Sequence, residues 1–277
     1  MELRLSLPAT KSADPPEDKI GDLSIMVFNS AGWLEESFYY SSLPEGISLR
    51  LVSGAEFTIA ACANARREMK ASSLEELGKI RWYMAYPDEY SEGMPLVAVQ
   101  RVIPKADNPV LEIGLERLMA KVSLRMDRRD LSEEVSIKVR SVQIGSCPRS
   151  ALLFAENACR GSEDVFDQGF VKAWGDADIL NMDASPGVSG YISLYMMENL
   201  QEEGPAGCSF VEVKAEYHSP HLHTPPGQYL IYRFYLLDED GRYGARRGTE
   251  QKYTIHPVGD GLGGEGWYMD ESALVED

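Results

Sequence analysis

Leu111 to Met126, LEIGLERLMAKVSLRM, is the longest run that a buried strand could use. Leu111, Ile113 and Leu115 share one parity; Leu118, Ala120, Val122, Leu124 and Met126 share the other. Side chains alternate faces along a strand, so each set alone would cover one sheet face. The change of parity at Glu116 and Arg117 predicts an extra residue there, as in a β-bulge. Beyond it the outward set is Met119, Lys121, Ser123 and Arg125, mostly polar, which suits an antiparallel sheet with one wet face. The competing reading is a helix, since LERLMAKV is rich in helix formers. Alternation that continues through VSLRM and resumes at Val135 favours the strand.

Working outward, Leu3, Leu5 and Leu7 alternate with Glu2, Arg4 and Ser6 as a first strand. Pro8 to Lys19, PATKSADPPEDK, is a polar, proline-rich loop. Ile20 to Phe28, the turn NSAG and Trp33 to Tyr40 spell a hairpin. Further alternating runs follow at Ile47 to Leu51 and Phe57 to Ala61. Ser72 to Gly78, SSLEELG, carries a capping box and a closing glycine and predicts one short helix. Val135 to Ile144 closes a first domain, and SCPRS is the crossover. In the second half, strands are expected at Tyr191 to Met196, Phe210 to Tyr217, Tyr229 to Leu237 and Lys252 to Val258. Gly161 to Asp183 reads as acidic and irregular, DEDG at Asp238 to Gly241 as a hairpin turn. Short strands at regular spacing with one helix predict an all-β chain of two tandem β-sandwiches, residues 1–147 and 148–277.

The chain has 277 residues, 44% of them hydrophobic, enough to bury a core in each domain. Its formal net charge of −17 repels phosphate backbones and disfavours a nucleic-acid partner. No run approaches the roughly 20 apolar residues of a membrane helix, and MELRLSLPATKS is not a signal peptide. The chain is therefore either cytoplasmic or an exported protein whose signal is not in this sequence. Cys62, Cys147, Cys159 and Cys208 form no CxxC pair, which argues against a thiolate zinc site. Cys147 and Cys159 could pair in an oxidising compartment.

Each candidate chemical motif has a plainer reading. GDGLGG at Gly259 to Gly264 matches the dinucleotide fingerprint in letters, yet no helix and no distal acid follow it, so a turn is expected. His218, His221 and His223 are the best metal candidates, three imidazoles in a loop beside Pro220, but no acid stands in the H-E-x-x-H position. Asp176, Asp178 and Asp183 lack the glycine and distal glutamate of a calcium loop. No nucleophile elbow is present. Neither a cofactor nor an enzymatic activity is expected. Trp33, Trp82, Trp174 and Trp267 could stack on sugars if exposed, Trp174 being the platform of choice. This supports an alternative function, a surface carbohydrate-binding module.

Several stretches together resemble the fimbrillins of Bacteroidales bacteria, subunits of type V pili. They are IGDLSIMVFNSAGWLEE, FTIAACAN, LERLMAKVSL, YMMEN at Tyr195 to Asn199, and the closing YRFYLLDEDGRYGARRGTEQKYTIHPVGDGLGGEGW. The resemblance runs through nearly the whole chain. It implies two transthyretin-like sandwiches, an exported lipoprotein precursor displayed at the outer membrane and cell surface, and a non-enzymatic fimbrial subunit or tip or accessory adhesin. It also implies assembly with other fimbrial subunits by donor-strand exchange, and adhesion to a host or bacterial surface protein or glycan. Leu3, Leu5 and Leu7 would be the removable first strand and Lys11 the processing site. The loop has no arginine for the family's usual cut, the lipid-bearing cysteine is absent from this sequence, and DESALVED is a poor apolar donor. These departures leave stalk subunit, terminal anchor and tip adhesin all open; a tip or accessory subunit needs no long donor tail, which favours that role.

Overall fold

The computed structural model describes residues 2–6, 20–87, 89–107, 110–173, 178–182, 187–202, 207–221, 229–270 and 273–274. Nearly every element is a strand. Among the described residues the one α-helix is Leu74–Leu77. Its cap is the expected capping box: Ser73 Oγ accepts from the Glu76 amide at 3.2 Å, and the Glu76 carboxylate accepts from the Ser72 amide at 2.8 Å.

The chain forms two compact units, Met1–Met119 with Ser150–Asn157, and Ala120–Arg149 with Ala158–Asp277. This division departs from the expected boundary at 147. The expected last strand of the first domain is Ser136–Pro148, and its Ile137, Val139, Val142 and Ile144 lie in the second unit's core. It pairs antiparallel with Phe210–His218 and with Val165–Ala173. Val165–Ala173 lies in a stretch read as irregular: its sequence, VFDQGFVKA, breaks alternation with a central glycine, and the strand sits at the edge of its sheet.

In the first unit a five-stranded sheet runs Leu34–Tyr40, Leu23–Asn29, Phe57–Ala63, Leu96–Val102, Glu116–Arg117. The hairpin falls where expected. Asn29 Oδ1 accepts from the Ala31 and Trp33 amides, and Gly32 takes φ +81°, a conformation glycine adopts freely. Phe57–Ala63 is buried on both faces. A second sheet holds Ile47–Ser48, Glu2–Ser6 and Val110–Gly114 in that order. Leu3, Ile47, Leu49, Ile113 and Leu115 meet Leu23, Ile25, Ile59 and Leu96 between the two sheets, a β-sandwich core.

The second unit is also a sandwich. One sheet orders Val165–Ala173, Ser136–Pro148, Phe210–His218, Tyr229–Tyr235 and Ala273–Leu274; the other orders Ile192–Met197, Met119–Met126, Glu250–Pro257 and Trp267–Met269. Between them lie Val122, Leu124, Met126, Val139, Val213, Phe234, Ile255 and Trp267. Met119–Met126 pairs with Glu250–Pro257 in parallel, Lys121 opposite Glu250 through Met126 opposite Ile255, not antiparallel as its alternation suggested. Alternation reports which face is buried, and both pairings satisfy it.

The stretch Leu111 to Met126 is therefore three strands rather than one bulged strand. Val110–Gly114, Glu116–Arg117 and Met119–Met126 belong to three different sheets. The parity change marks the passage between cores: Ile113 and Leu115 fill the first, Val122 and Leu124 the second.

Candidate functional site

The first strand is the element that departs most from a closed sandwich. Glu2–Ser6 pairs in parallel with Val110–Gly114, Glu2 opposite Val110 through Ser6 opposite Gly114, and its other edge meets Ile47–Ser48. Leu3 is 3% exposed and Leu5 packs against the same core. Its partner strand lies more than a hundred residues away in sequence, so no short turn ties the two together. Leu7 and Lys11, the rest of the expected removable strand and its processing site, lie outside the described residues.

The YMMEN stretch and the arginine-rich loop meet in the second unit. Glu198 is buried and accepts from Arg247 Nε at 2.9 Å and from an Arg247 terminal nitrogen at 2.7 Å. Asn199, fully buried, accepts from the Cys159 amide and donates to the Gly207 carbonyl and Ser209 Oγ. Asn199–Gln201 pairs with Tyr243–Ala245, where Gly244 stands at φ +116°. A β-carbon there would lie 1.6 Å from the Asn199 carbonyl oxygen, so only glycine lets the backbones approach. Asp238 anchors the neighbouring turn, accepting from the Asp240 and Arg242 amides and pairing with Arg246 at 3.2 Å. These are structural networks, each buried charge holding a specific partner.

GDGLGG is a turn, as expected. Gly259, Gly261 and Gly263 all take positive φ, and the Gly261 carbonyl accepts from Trp267 Nε1 at 2.8 Å and Tyr232 Oη at 3.1 Å. Trp267 is 1% exposed and stacks on Tyr232, so it belongs to the core and is no sugar platform. Trp82 is buried as well, while Trp33 is exposed. Trp174 lies outside the described residues.

Of the histidine group, His218 ends the strand Phe210–His218 opposite Ser136, and the His221 ring meets the Glu134 carboxylate. His223 lies outside the described residues, as do Asp176 and Asp183, while Asp178 pairs with Arg128 at 2.6 Å. Among the described residues, no three His, Cys, Asp or Glu side chains stand together as a metal site. All four cysteines are buried free thiols, Cys147 and Cys159 included. Burial pushes the Cys147 thiol up to about 12 and the Cys208 thiol up to about 11, so both are protonated and weakly nucleophilic. Among the described residues, no helix is long and apolar enough to cross a membrane.

One surface was only half visible in the sequence. The outward side chains of the sheet containing Met119–Met126 include Tyr191, Ser193, Ser123, Arg125, Lys252 and Thr254. The Arg125 guanidinium lies 5.1 Å from the Tyr191 ring centre and the Lys252 ammonium 5.9 Å from it. The Lys-Ser-Arg alternation announced a polar face. Tyr191 stands just before the strand Ile192–Met197, 66 positions further along, and nothing local joins it to Arg125.

An all-β chain of two sandwich units with these connections has the fold of fimbrial and adhesion proteins. A candidate cell adhesion protein from Bacteroides eggerthii superposes with a TM-score of 0.67 at 13% identity, covering 99% of this chain and 95% of that one. The tip fimbrial protein Mfa3 of Porphyromonas gingivalis, C-terminally truncated, gives 0.57 at 12% identity over 93% of this chain and 94% of its own. The fimbrillin FimA of the same organism gives 0.56 at 12% identity, covering 93% and 89%. No protein-family profile and no curated protein matches the chain.

Proposed function

We propose that this chain is a non-enzymatic subunit of a cell-surface fimbrium that assembles with other subunits by donor-strand exchange, in a tip or accessory position. The observation that carries the proposal is the first strand. Glu2–Ser6 fills a slot between Ile47–Ser48 and Val110–Gly114, with Leu3 seated in the core. Its departure would bare the backbone edge of Val110–Gly114 and an apolar floor of Ile47, Leu49, Ile113 and Leu115. An open edge over an apolar floor binds an extended strand from another chain: main-chain hydrogen bonds supply affinity and alternate side chains supply selectivity. Lys11, between the strand and the first hairpin, is the proposed cut. Export to the cell surface and lipidation before assembly belong to the same proposal, as does adhesion to a surface protein or glycan.

The test is limited digestion with a lysine/arginine-specific protease, followed by sizing and by titration with a synthetic peptide of residues 1–8. The expected result is cleavage at Lys11 or Lys19, then either ladder-like oligomers or saturable peptide binding by the trimmed chain. A trimmed chain that keeps its fold, stays monomeric and ignores the peptide would overturn the proposal.

A further inference from the structure

We propose that the outer face of the sheet formed by Ile192–Met197, Met119–Met126 and Glu250–Pro257 binds an acidic oligosaccharide. A sugar ring would lie against Tyr191 and its carboxylate between Arg125 and Lys252. Strand parity places these groups. Leu194 and Met196, Leu124 and Met126, and Tyr253 and Ile255 point into the core. Their alternates, Ser193, Ser123 and Arg125, Lys252 and Thr254, therefore point out, and Tyr191, just before the first of these strands, joins them by its contacts with Arg125 and Lys252.

Tyr191 is 46% exposed, although an aromatic ring of its size gains most from being covered. The two cations over the ring hold it in place. Arg125 is itself fixed: its Nε donates to Thr254 Oγ1 at 3.0 Å. Among the described residues this is the guanidinium's one hydrogen bond, so the terminal amino groups can meet a carboxylate in a two-point geometry. Lys252 meets Glu250 at 3.7 Å, with both side chains substantially exposed, a weak pair that an incoming carboxylate can outcompete. Ser193 adds a half-buried hydroxyl to the same face, held 3.1 Å from that of Ser123, which is itself buried and donates to Glu250.

Charge selects the occupant. In a chain with a formal net charge of −17, two cations flank one open aromatic ring, with the Glu250 carboxylate already in contact with Lys252. A positive patch on an acidic surface favours an anionic ligand at short range while the rest of the molecule repels bulk polyanions. A uronic or sialic acid unit combines what the patch offers: a carboxylate for the cations, a hydroxyl for Ser193 and an apolar C–H face for the ring. An acidic peptide matches only the first. The far edge of the sheet is different in kind. There Tyr268 is stacked on His256, and Asp270, whose amide donates to the Thr254 carbonyl, borders the proposed site with its carboxylate 3.2 Å from the imidazole.

Glu250 and Lys252 also line a cleft of about 190 Å³ with Asp238, Glu239 and Arg246. That is below the roughly 300–1,000 Å³ of sites for drug-sized ligands, and it suits one substituent of a longer polymer. This inference does not depend on fimbrial assembly, because the intact monomer carries the whole site.

The experiment is a glycan array of uronate- and sialate-terminated oligosaccharides beside their neutral parents, followed by calorimetry with oligogalacturonate and sialyllactose on the untrimmed chain. Carboxylated glycans should bind at least about ten-fold more tightly than neutral ones, a difference of about 1.4 kcal/mol. Affinity should fall as salt rises. Tyr191→Ala and Arg125→Gln should each weaken binding about ten-fold or more, whereas Tyr191→Phe and Glu250→Gln should preserve or strengthen it. Thermal melts confirm that each variant is folded. Equal binding of neutral and acidic glycans, binding that survives both Tyr191→Ala and Arg125→Gln, stronger binding of a polyglutamate peptide, or no glycan binding at all would each overturn it.

Discussion

Replacing Arg247 with methionine removes the cation from a pair in which Glu198 is 3% exposed and Arg247 10% exposed at the side chain. Methionine keeps the length of the stem and its packing, so the loss is chiefly electrostatic. Glu198 would then be a buried carboxylate deprived of the two bonds, at 2.9 and 2.7 Å, that offset its desolvation. Breaking one side of such a pair costs about 3–5 kcal/mol, a large part of the roughly 5–15 kcal/mol that holds a domain together. The double variant Glu198→Gln, Arg247→Met removes the stranded charge and should recover about half of that loss. Because the chain contains two compact units, one unfolding curve need not report on either alone. Hydrogen exchange read by mass spectrometry on peptides from Phe210–His218 isolates the second unit. A loss below about 1 kcal/mol for Arg247→Met, or a double variant as unstable as the single one, would refute the view that water is excluded from this pair.

Three further outcomes are expected. Gly244→Ala combines a positive φ, costing about 1–3 kcal/mol, with a backbone clash at Asn199 that cannot relax locally. Soluble yield and urea midpoint should both fall, and a midpoint within error of the parent would show the close approach to be wrong. Leu3→Ala should destabilise the first unit by about 2–5 kcal/mol and speed proteolytic loss of the first strand; unchanged digestion kinetics would contradict its place in the core. Asp22 has its carboxyl raised above the ordinary 3.8, burial outweighing the hydrogen bonds from the Arg66 and Ala65 amides. A raised acid binds its proton more tightly when folded, so this group's contribution is greatest below pH 3.8 and declines as pH rises through the folded value. Asp22→Asn should flatten that part of the stability–pH curve, and an unaltered slope would exclude Asp22 as its source.

How much of this was legible in the sequence depended on range. The hairpin at Asn29 to Trp33 and the helix cap at Ser73 are contained in a few neighbouring residues, and both formed as their chemistry dictated. The sandwich class followed from alternation, which reports burial of one face. Partner choice did not follow. Lys121 opposite Glu250 and Glu2 opposite Val110 are parallel pairings across more than a hundred residues, and no local signal encodes them. The divide between the units was missed for the same reason: the parity change at Glu116 looked like a bulge because both outcomes shift the pattern by one residue. Val165–Ala173 escaped notice because an edge strand tolerates glycine and polar residues. At the sheet face, Lys121, Ser123 and Arg125 were legible as an outward row, while Tyr191 had to be supplied by the fold.

The parallel pairing of Met119–Met126 with Glu250–Pro257 also sets a schedule for synthesis. A strand made early waits for a partner that leaves the ribosome more than 120 residues later, some six to twenty-four seconds at ordinary rates of about 5–20 residues per second. Until then the sheet that closes the second core lacks one of its two central strands, and long-range pairing of this kind is intrinsically slow. The topology itself postpones closure of the second core until Glu250–Pro257 has been made, so the early strand must stay soluble and unpaired on that edge until then.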